Sequence, residues 1–404
     1  MRSRLVLRSL AAAFLPLLHA SIARADAEDT LNLTAKYSVQ TDSNLFRLSS
    51  AAIESGTPGN QLETERINTG SVSMSLDKSY SLQHFLLTGS FVDYQYQTYS
   101  YLSFNAVNYA ATWDWSATPW LHGKLSTTQQ QDLNNFSDYR DSRERNIRTT
   151  KTTLFDAEGN LGAAWRLLGA VEQASRSNDL PVEEEGDDRV NSYTLGLRYI
   201  YRSGSTFTYR MRNGKGDYLN RVQTIQSVLP SHYDEQMHEL SALLPLSGKS
   251  NLQVRLAHIE RTHPLLYVRN FSGPVGDITF NWTPTGKLSV ATVLGRTLAP
   301  YQTDTTSYVN RDNLSISPAW RLTAHTSLRA TYTRTNEQYG GALPGRALAT
   351  DRQDKLDAIQ LGLDWRPRPT IALSLSVQNI NNKSNTAGYD YKTQGATVSG
   401  QLTF

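Results

Sequence analysis

Residues that could carry catalytic or metal chemistry are few in this chain of 404 residues, which contains eight histidines and no cysteine. The closest histidine pairs are His258 with His263 and His232 with His238. Neither spacing matches a zinc-binding helix motif, and the sequence has no G-x-S-x-G nucleophile motif. We therefore expect no enzymatic activity, no metal and no cofactor. A Ser–His pair assembled across strands is the alternative, and spacing along the chain cannot test it.

Recognition of charged solutes is the second chemistry that the residue types allow. Five basic residues fall on the polar face of an alternating pattern, each within about six positions of a predicted short turn. These residues are Lys124, Arg198, Arg210, Arg255 and Arg329. They could act together only if the fold places them on one surface. Their role therefore depends on the secondary-structure elements that carry them.

The C-terminal segment GATVSGQLTF shows the repeating element most clearly. Ala396, Val398, Leu402 and Phe404 share one face, and polar residues occupy the other face. An alternation with period two predicts a β-strand with one apolar and one polar side. Comparable segments recur about eighteen times from Thr30 to Phe404. Their approximate starts are 30, 66, 82, 103, 120, 148, 167, 189, 205, 233, 250, 271, 287, 306, 325, 353, 369 and 389.

The connections predict how these strands are arranged. Links after even-numbered strands are short, whereas most links after odd-numbered strands are long and polar, such as 43–65 and 213–232. Short turns on one rim, long loops on the other and an even strand count are typical of an outer-membrane barrel. We therefore predict an all-β, transmembrane antiparallel outer-membrane β-barrel of about 18 strands, with 16 possible. The alternative is a soluble β-sandwich or propeller with buried aromatic residues.

All seven tryptophans lie at or beside the ends of even-numbered strands, next to the predicted short turns. Because indole rings prefer the membrane interface, they predict a periplasmic aromatic girdle. Its members are Trp113, Trp115, Trp120, Trp165, Trp282, Trp320 and Trp365. In a barrel the last strand must also pair with the first, since an open edge in lipid leaves backbone groups unsatisfied.

The N-terminal segment predicts export. Three arginines, an apolar stretch and the sequence Ala23-Arg24-Ala25 are typical of a secretory signal peptide, so we divide the chain into a signal at 1–25 and one barrel domain at 26–404. A short N-terminal membrane anchor is the alternative. Removal of residues 1–25, which contain four arginines and no acidic residue, leaves 36 of the 40 basic residues against 37 acidic ones. This near-neutral balance gives no reason to expect nucleic acid as a partner.

Inside such a barrel, the five basic residues predict a basic arc on the lower lumen wall that guides an anionic or polar polymer. Arg198 and Arg210 should be near cross-strand neighbours, which is unfavourable unless an anion or a carboxylate lies between them. The favoured alternative is a solvated wall of mixed charge, since acidic residues share the same face. These acidic residues are Asp114, Asp156, Glu158 and Asp364.

Two loop segments have compositions that call for explanation. The apolar residues Leu45, Phe46 and Leu48 stand beside Asp42, Asn44 and Arg47 in what should be a polar exterior loop. They either fold back into the lumen as a plug or constriction, or cap the rim against a neighbouring loop. The acidic run 181–188 could hold a divalent cation that bridges to lipopolysaccharide phosphates, although a solvated loop is commoner.

Both ends of the chain resemble one family. The segment Asp42 to Leu48 is similar to a D-x-N-L-F-R-L element of the outer-membrane barrels attached to exopolysaccharide biosynthesis clusters, the EpsL type. The W-x-P strand end at 365–367, Ser384-Asn385 and Asp390-Tyr391 resemble the same family. The alternating C-terminus, with Val398, Leu402 and Phe404, is similar to the signal that the bacterial barrel-insertion machinery recognises. The resemblance transfers no catalytic residue.

The resemblance implies a place in the bacterial outer membrane, after cleavage near Ala25, and a role in exopolysaccharide export. The barrel would be a secretion pore or the partner of an export complex. The implied partners are outer-membrane lipid and lipopolysaccharide, the insertion machinery, a secreted polysaccharide and periplasmic export proteins. The alternative function is a general or substrate-selective diffusion porin for small solutes. A porin should conduct openly, whereas a dedicated exporter should be plugged or gated.

Overall fold

The structure is a computed structural model that describes residues 30–55, 63–134, 136–137, 143–180, 186–220, 231–264, 267–303, 306–341 and 352–404. The predicted signal peptide with its cleavage site near Ala25 lies outside the described residues. Residues 181–185 of the acidic run also lie outside them.

The described residues form one closed ring of 18 antiparallel strands, so the predicted barrel is confirmed. Every predicted strand start lies within two residues of the observed one. The strands are β1 (Leu31–Asp42), β2 (Glu65–Tyr80), β3 (Gln83–Tyr96), β4 (Phe104–Thr118), β5 (Leu121–Leu133), β6 (Ile147–Leu161), β7 (Trp165–Asn178), β8 (Asp188–Ile200), β9 (Thr206–Tyr218), β10 (His232–Ser247), β11 (Ser250–Thr262), β12 (Phe271–Trp282), β13 (Leu288–Thr303), β14 (Thr306–Arg321), β15 (Thr326–Gly340), β16 (Gln353–Arg368), β17 (Ile371–Ser384) and β18 (Tyr391–Thr403).

Helical structure in the described residues is limited to short segments. These are the helix α1 (Ser50–Glu54) and 3-10 turns at Ser100–Leu102 and Tyr267–Arg269. None of these described helical segments has the length and apolar character needed to cross a bilayer.

Two different kinds of connection separate the rims. The β2–β3 link consists of residues 81–82 and the β16–β17 link of residues 369–370, whereas 43–64 connect β1 to β2. Gly162 and Gly204, in the β6–β7 and β8–β9 turns, have φ angles of 72° and 84°. Glycine adopts this left-handed region without the steric cost of a Cβ atom, and so permits these tight turns. We call the short-turn rim periplasmic and the long-loop rim extracellular.

The strand register assigns each residue to the outer or the inner face. Val398 lies opposite Val39 on β1 and opposite Leu375 on β17, which closes the ring through the first and last strands. Residues directly opposite in antiparallel strands project to the same side of the sheet. The apolar series of every strand can therefore be followed around the ring, and it forms the outer face.

The outer face changes from apolar to polar toward the extracellular rim. On β16 the outer series begins at the periplasmic end with Trp365 and continues through Leu363, Leu361 and Ile359 to Asp357. Its apolar members are exposed, with 48% of Trp365 and 53% of Ile359 accessible. An outward apolar band with polar residues above it is what a barrel needs to face the hydrocarbon core and then the headgroups.

One junction of the wall is shorter than its neighbours. Strands β12 and β13 form seven residue pairs, from Gly276–Arg296 to Trp282–Val290, whereas β11–β12 form twelve and β13–β14 fourteen. Above Gly276 the two strands part. Leu298 and Tyr308, outer-face residues by register, pack there against a buried apolar cluster. That cluster consists of Ala257, Ile259, Phe271 and Val275.

Candidate lumen site

The five residues of the predicted basic arc all lie on the inner face, and each has a carboxylate partner. Lys124 on β5 lies directly opposite Asp114 and Asp156, with Nζ 3.6 Å from Asp114 Oδ1. Arg329 on β15 forms a bidentate pair with Asp364, including an Nη2–Oδ1 distance of 2.9 Å. Strands β5 and β15 are on different sides of the ring, so these two cations do not join one cluster.

Arg198 lies directly opposite a second cation, Arg166 on β7. Glu158 on β6 relieves this like-charge contact, with its carboxylate 2.7 Å from Arg198 Nη1 and 3.8 Å from Arg166 Nε. Arg210 lies opposite Gly196 and is therefore only a diagonal neighbour of Arg198. As predicted, a carboxylate, that of Glu158, lies beside the like charges. The cation directly opposite Arg198, however, is Arg166 and not Arg210.

Arg210 and Arg255 are the two arc residues that the structure brings together. Glu239 on β10 lies directly opposite Arg210 and accepts from its Nη1 at 2.9 Å. The other oxygen of Glu239 is 3.6 Å from Arg255 Nη1. Arg255 in turn donates from Nε to Asp277 at 2.6 Å. The result is a chain of alternating charges across four neighbouring strands, β9 to β12.

A second group of paired charges lies nearer the extracellular rim. Glu235 accepts from Arg212 at 2.7 Å and from Arg261 at 2.6 Å, and its side chain is almost completely buried. The guanidinium of Arg261 also lies over the Tyr233 ring, 4.4 Å from its centroid. Gly216 makes this packing possible, because a Cβ atom there would come within 2.2 Å of the Tyr233 ring. Glu172, 3.4 Å from Arg212 Nη2, supplies a second carboxylate, so these residues form a ledge of paired charges on the inner wall.

Arg212, Arg261 and Glu235 are lumen residues that were not predicted from the sequence as part of the basic arc. All three occupy the inner face of their strands, so the same alternation that selected Arg210 places them in the lumen. They lie farther from the short turns than the residues predicted to form the basic arc, which were chosen at one height. The wall from β6 to β12 is consequently a ladder of arginine–carboxylate pairs, the mixed-charge arrangement. Guidance of an anionic solute along it stays a prediction.

The segment Asp42 to Leu48 forms a turn held by its own polar side chains. Asp42 accepts from the Asn44 N–H at 2.9 Å and from Thr393 on β18 at 2.7 Å, and it forms a salt bridge with Arg47. Asn44 donates to the carbonyl oxygens of Leu48 and Lys392 and accepts from the Leu48 N–H. Arg47 has a φ of 55°, a conformation that these hydrogen bonds stabilise. The turn is thereby fastened to β18.

This turn directs its apolar side chains toward the lumen. Leu45 and Phe46 are buried against Ile67 and Tyr96, whose register places them on the inner face of β2 and β3. Phe46 also meets the edge of Phe136, with ring centroids 4.9 Å apart. We call Leu45, Phe46, Ile67, Tyr96, Leu102 and Phe136 the mouth cluster. Each alternative from the sequence describes part of this arrangement, because the side chains meet inner-face residues and also Leu102 and Phe136 of neighbouring loops. A plug or constriction of the lumen stays a prediction.

A buried carboxylate fixes the neighbouring loop. Glu65, with no exposed surface, accepts backbone hydrogen bonds from Arg66, Gln97, Thr98 and Tyr99. These bonds satisfy a charge that would otherwise be costly to bury. They hold the 97–99 loop beside the mouth cluster, where Tyr99 packs on Phe46 with centroids 4.6 Å apart. Burial raises the pKa of Tyr99, so this phenol is neutral at physiological pH.

The tryptophans predicted to form a periplasmic girdle lie on the outer face near the short turns. Trp120 in the β4–β5 link is 57% exposed and Trp320 is 50% exposed. Trp115, also on the outer face, stacks on Phe155, and its ring lies over Gly123. A belt role at the interface stays a prediction for all seven.

The residues of the predicted insertion signal also lie on the outer face. Val398 is 58% exposed, and Leu402 shares its side of β18. Phe404 exchanges two backbone hydrogen bonds with Leu33 at the barrel closure. Recognition by insertion machinery stays a prediction.

Histidine contacts among the described residues do not form a catalytic triad. His258 Nε2 is 3.1 Å from Ser272 Oγ, but the part of the chain that the structure describes places no carboxylate on the other ring nitrogen. Both ring nitrogens of His84 contact carboxylates, those of Asp77 and Asp114, so neither nitrogen bonds to Ser79, which lies directly opposite. No group of three or more potential metal ligands occurs among the described residues.

Comparison with known proteins gives structural but not sequence relatives. No family model matches the chain, and no curated protein matches it. The Pseudomonas aeruginosa protein OccK1 (OpdK) is 10% identical with a TM-score of 0.52, over 94% of this chain and 100% of its own. OccK2 (OpdF) in complex with glucuronate, from the same organism, has the same identity, coverage and TM-score, and OpdK has also been solved with vanillate. OccK3 (OpdO) is 12% identical with a TM-score of 0.50, over 94% of this chain and 98% of its own. The likeness shows that this chain shares the β-barrel fold of these solved proteins.

Proposed function

We propose that this chain is a substrate-selective diffusion porin for small solutes in the outer membrane. The observation that carries the proposal is the ladder of arginine–carboxylate pairs on the inner face of β6 to β12. A closed ring of 18 strands is wide enough to leave an aqueous lumen. Paired charges of both signs along one wall provide successive hydrogen-bonding sites for a polar solute without a strong net charge to trap it. Solved barrels of the same fold carry vanillate and glucuronate, both carboxylates, which makes small carboxylates the first solutes to test.

Planar-bilayer recordings of the purified chain test this function. We expect conductance without any partner and only a weak ion preference, measured as the reversal potential in a salt gradient. The variant R198Q/R210Q/R255Q should shift the selectivity toward cations, because it removes three inner cations while leaving their carboxylates. The matched control R66Q/R189Q/R334Q removes three arginines from the outer face and should leave the reversal potential unchanged. Equal selectivity in all three proteins would contradict the role of the lumen arginines.

A part in exopolysaccharide export is the second candidate, and the mouth cluster is the observation that favours it. An exporter is expected to be closed or gated when no polymer passes, and Leu45 and Phe46 lie on the lumen side of the extracellular mouth. The family resemblance rests in part on the same segment. Here the barrel would be a secretion pore or the partner of periplasmic export proteins, with lipopolysaccharide around it and insertion machinery to assemble it.

Gene deletion separates the two candidates. If polymer disappears outside the cell or accumulates in the periplasm, and complementation restores export, the export function is supported. If secretion is unchanged and uptake of small carboxylates falls, the porin function is supported.

A further inference from the structure

A groove marks the outer face where β16, β17, β18 and β1 meet. It has a volume of about 520 Å³, and Ile359, Leu361 and Val377 form much of its apolar floor. The groove exists because Ala396, a small residue, lies directly opposite both Val377 and Thr41. It lies at the upper end of the apolar band, and Asn379 and Gln394 line its extracellular side.

Three lysines lie immediately above this groove on the same outer face. Lys392 is directly opposite Asn381, one outer-face position above the Asn379–Gln394 pair. Lys383 and Lys355 are directly opposite each other one position higher. Successive positions on one face are about 6–7 Å apart, so the three ammonium groups border the same end of the groove. All three side chains are exposed.

The acidic residues nearby do not neutralise this patch. Asp357 is the outer-face carboxylate below Lys355, and it accepts from Tyr332 Oη at 2.8 Å and lies 3.9 Å from Arg334 Nε. Asp390 stands two positions before Lys392 in the chain and carries a single negative charge against the three lysines. Two lysines placed directly opposite each other repel unless an anion lies between them. The patch therefore attracts a group with more than one negative charge.

An occupant must match both parts of the site. A free phosphate would satisfy the lysines but gain nothing from an apolar groove. A second copy of the chain that presented the same face would bring its lysines against these lysines. An amphipathic anion with acyl chains satisfies both parts, because its chains can lie in the groove while its phosphates meet the lysines. On the extracellular side of an outer membrane, such a molecule is the lipid A portion of lipopolysaccharide.

We propose that the groove with Lys355, Lys383 and Lys392 is a binding site for lipid A, with one acyl chain against Ala396 and a phosphate between the lysines. The site depends on the fold and not on what the lumen conducts. The lipid A site can therefore be tested independently of the porin function.

Native mass spectrometry of the full chain in detergent, titrated with purified bisphosphorylated lipid A, tests the site. The variant K355Q/K383Q/K392Q should bind lipid A at least about tenfold more weakly, since each lysine near an anionic headgroup contributes appreciably. The matched control K78Q/K151Q/K215Q removes three exposed outer-face lysines away from the groove and should bind like the original chain. The variant A396F fills the groove with an apolar ring, changes no charge, and should weaken binding severalfold.

Three outcomes would overturn the site. One is equal binding of lipid A by the original chain and K355Q/K383Q/K392Q, and a second is equal weakening in both lysine variants. The third is a change in the number of copies per particle with no change in bound lipid, which would make this face a contact between chains. An unchanged heat-dependent shift in gel mobility verifies that each variant is folded.

Discussion

At the scale of single residues, Glu239 has the most consequential position in the lumen. Its buried carboxylate pairs with Arg210 on β9 and with Arg255 on β11, the strands on either side of β10. The sequence alone could place both arginines on the inner face, because a residue's side follows from its parity. It could not identify Glu239 as their partner, because that depends on the register between strands and on side chains 29 and 16 positions away.

Replacing Glu239 by glutamine should strengthen anion selectivity. Arg210 would lose the one carboxylate that the described residues place against it and expose an uncompensated charge to the lumen, while Arg255 would keep Asp277. We also expect a loss of about 1–3 kcal/mol in stability, because a buried charge-assisted hydrogen bond is weakened. Reversal potentials and urea unfolding measure the two effects. The control E260Q removes an exposed outer-face carboxylate from β11 and should change neither. A selectivity in E239Q no greater than that of the original chain would refute the argument.

At the scale of elements, the strands follow from the sequence and the turn at Asp42–Leu48 follows only in part. Period-two alternation and turn residues act locally, which is why each strand start could be placed within two residues. The destination of Leu45 and Phe46 could not be decided, because it depends on Ile67, Tyr96 and Phe136 from three other parts of the chain. Asp42, Asn44 and Arg47 were predicted from the sequence to belong to a plug or constriction together with the apolar residues. The structure shows that they are the polar frame that holds the apolar pair in place.

The substitution N44A should loosen this turn, which should widen the open pore or make closures rarer. Asn44 makes three hydrogen bonds with its side chain, and each contributes about 1 kcal/mol to the local structure. Single-channel recordings should show higher conductance or fewer closures than in the original chain. The control E54A changes an exposed residue of α1 in the same connection and should leave the recordings unaltered. Identical conductance in N44A would mean that the mouth cluster does not limit the pore.

At the scale of the whole molecule, the closure between β1 and β18 turns a sheet into a barrel. Nine residue pairs join these strands, and Phe404 extends the ladder by two hydrogen bonds to Leu33. The sequence predicted closure because an open edge cannot persist in lipid. The separation of β12 and β13 above Gly276 was not predicted, although Pro274 and Pro300 within these strands lack the N–H group that a continuous ladder needs.

A disulfide across the closure provides a direct test of the ring. The chain has no cysteine, so S38C/S399C introduces a single defined pair at directly opposite inner-face positions. Oxidation should lock nearly the whole chain into one loop, which migrates faster than the reduced chain on a denaturing gel even after heating. The control S374C/S399C joins β17 to β18 and closes only a short loop, so its heated mobility should hardly change. Failure of S38C/S399C to cross-link, where the control does, would exclude this register.

The short β12–β13 junction determines where the barrel wall opens locally. Residues 271–275 bond to β11 on one side but have no ladder partner on β13, so the backbone groups on that side lack the protection of a continuous sheet. The gap begins at the level of Arg296 and Asp312, an outer-face ion pair at the top of the apolar band, where water can reach the backbone. In hydrogen–deuterium exchange, deuterium should therefore enter β12 above Gly276 well before it enters the same height of β17, which is paired on both sides. Solvent would thus first enter the wall at a point held by apolar packing rather than by backbone bonds.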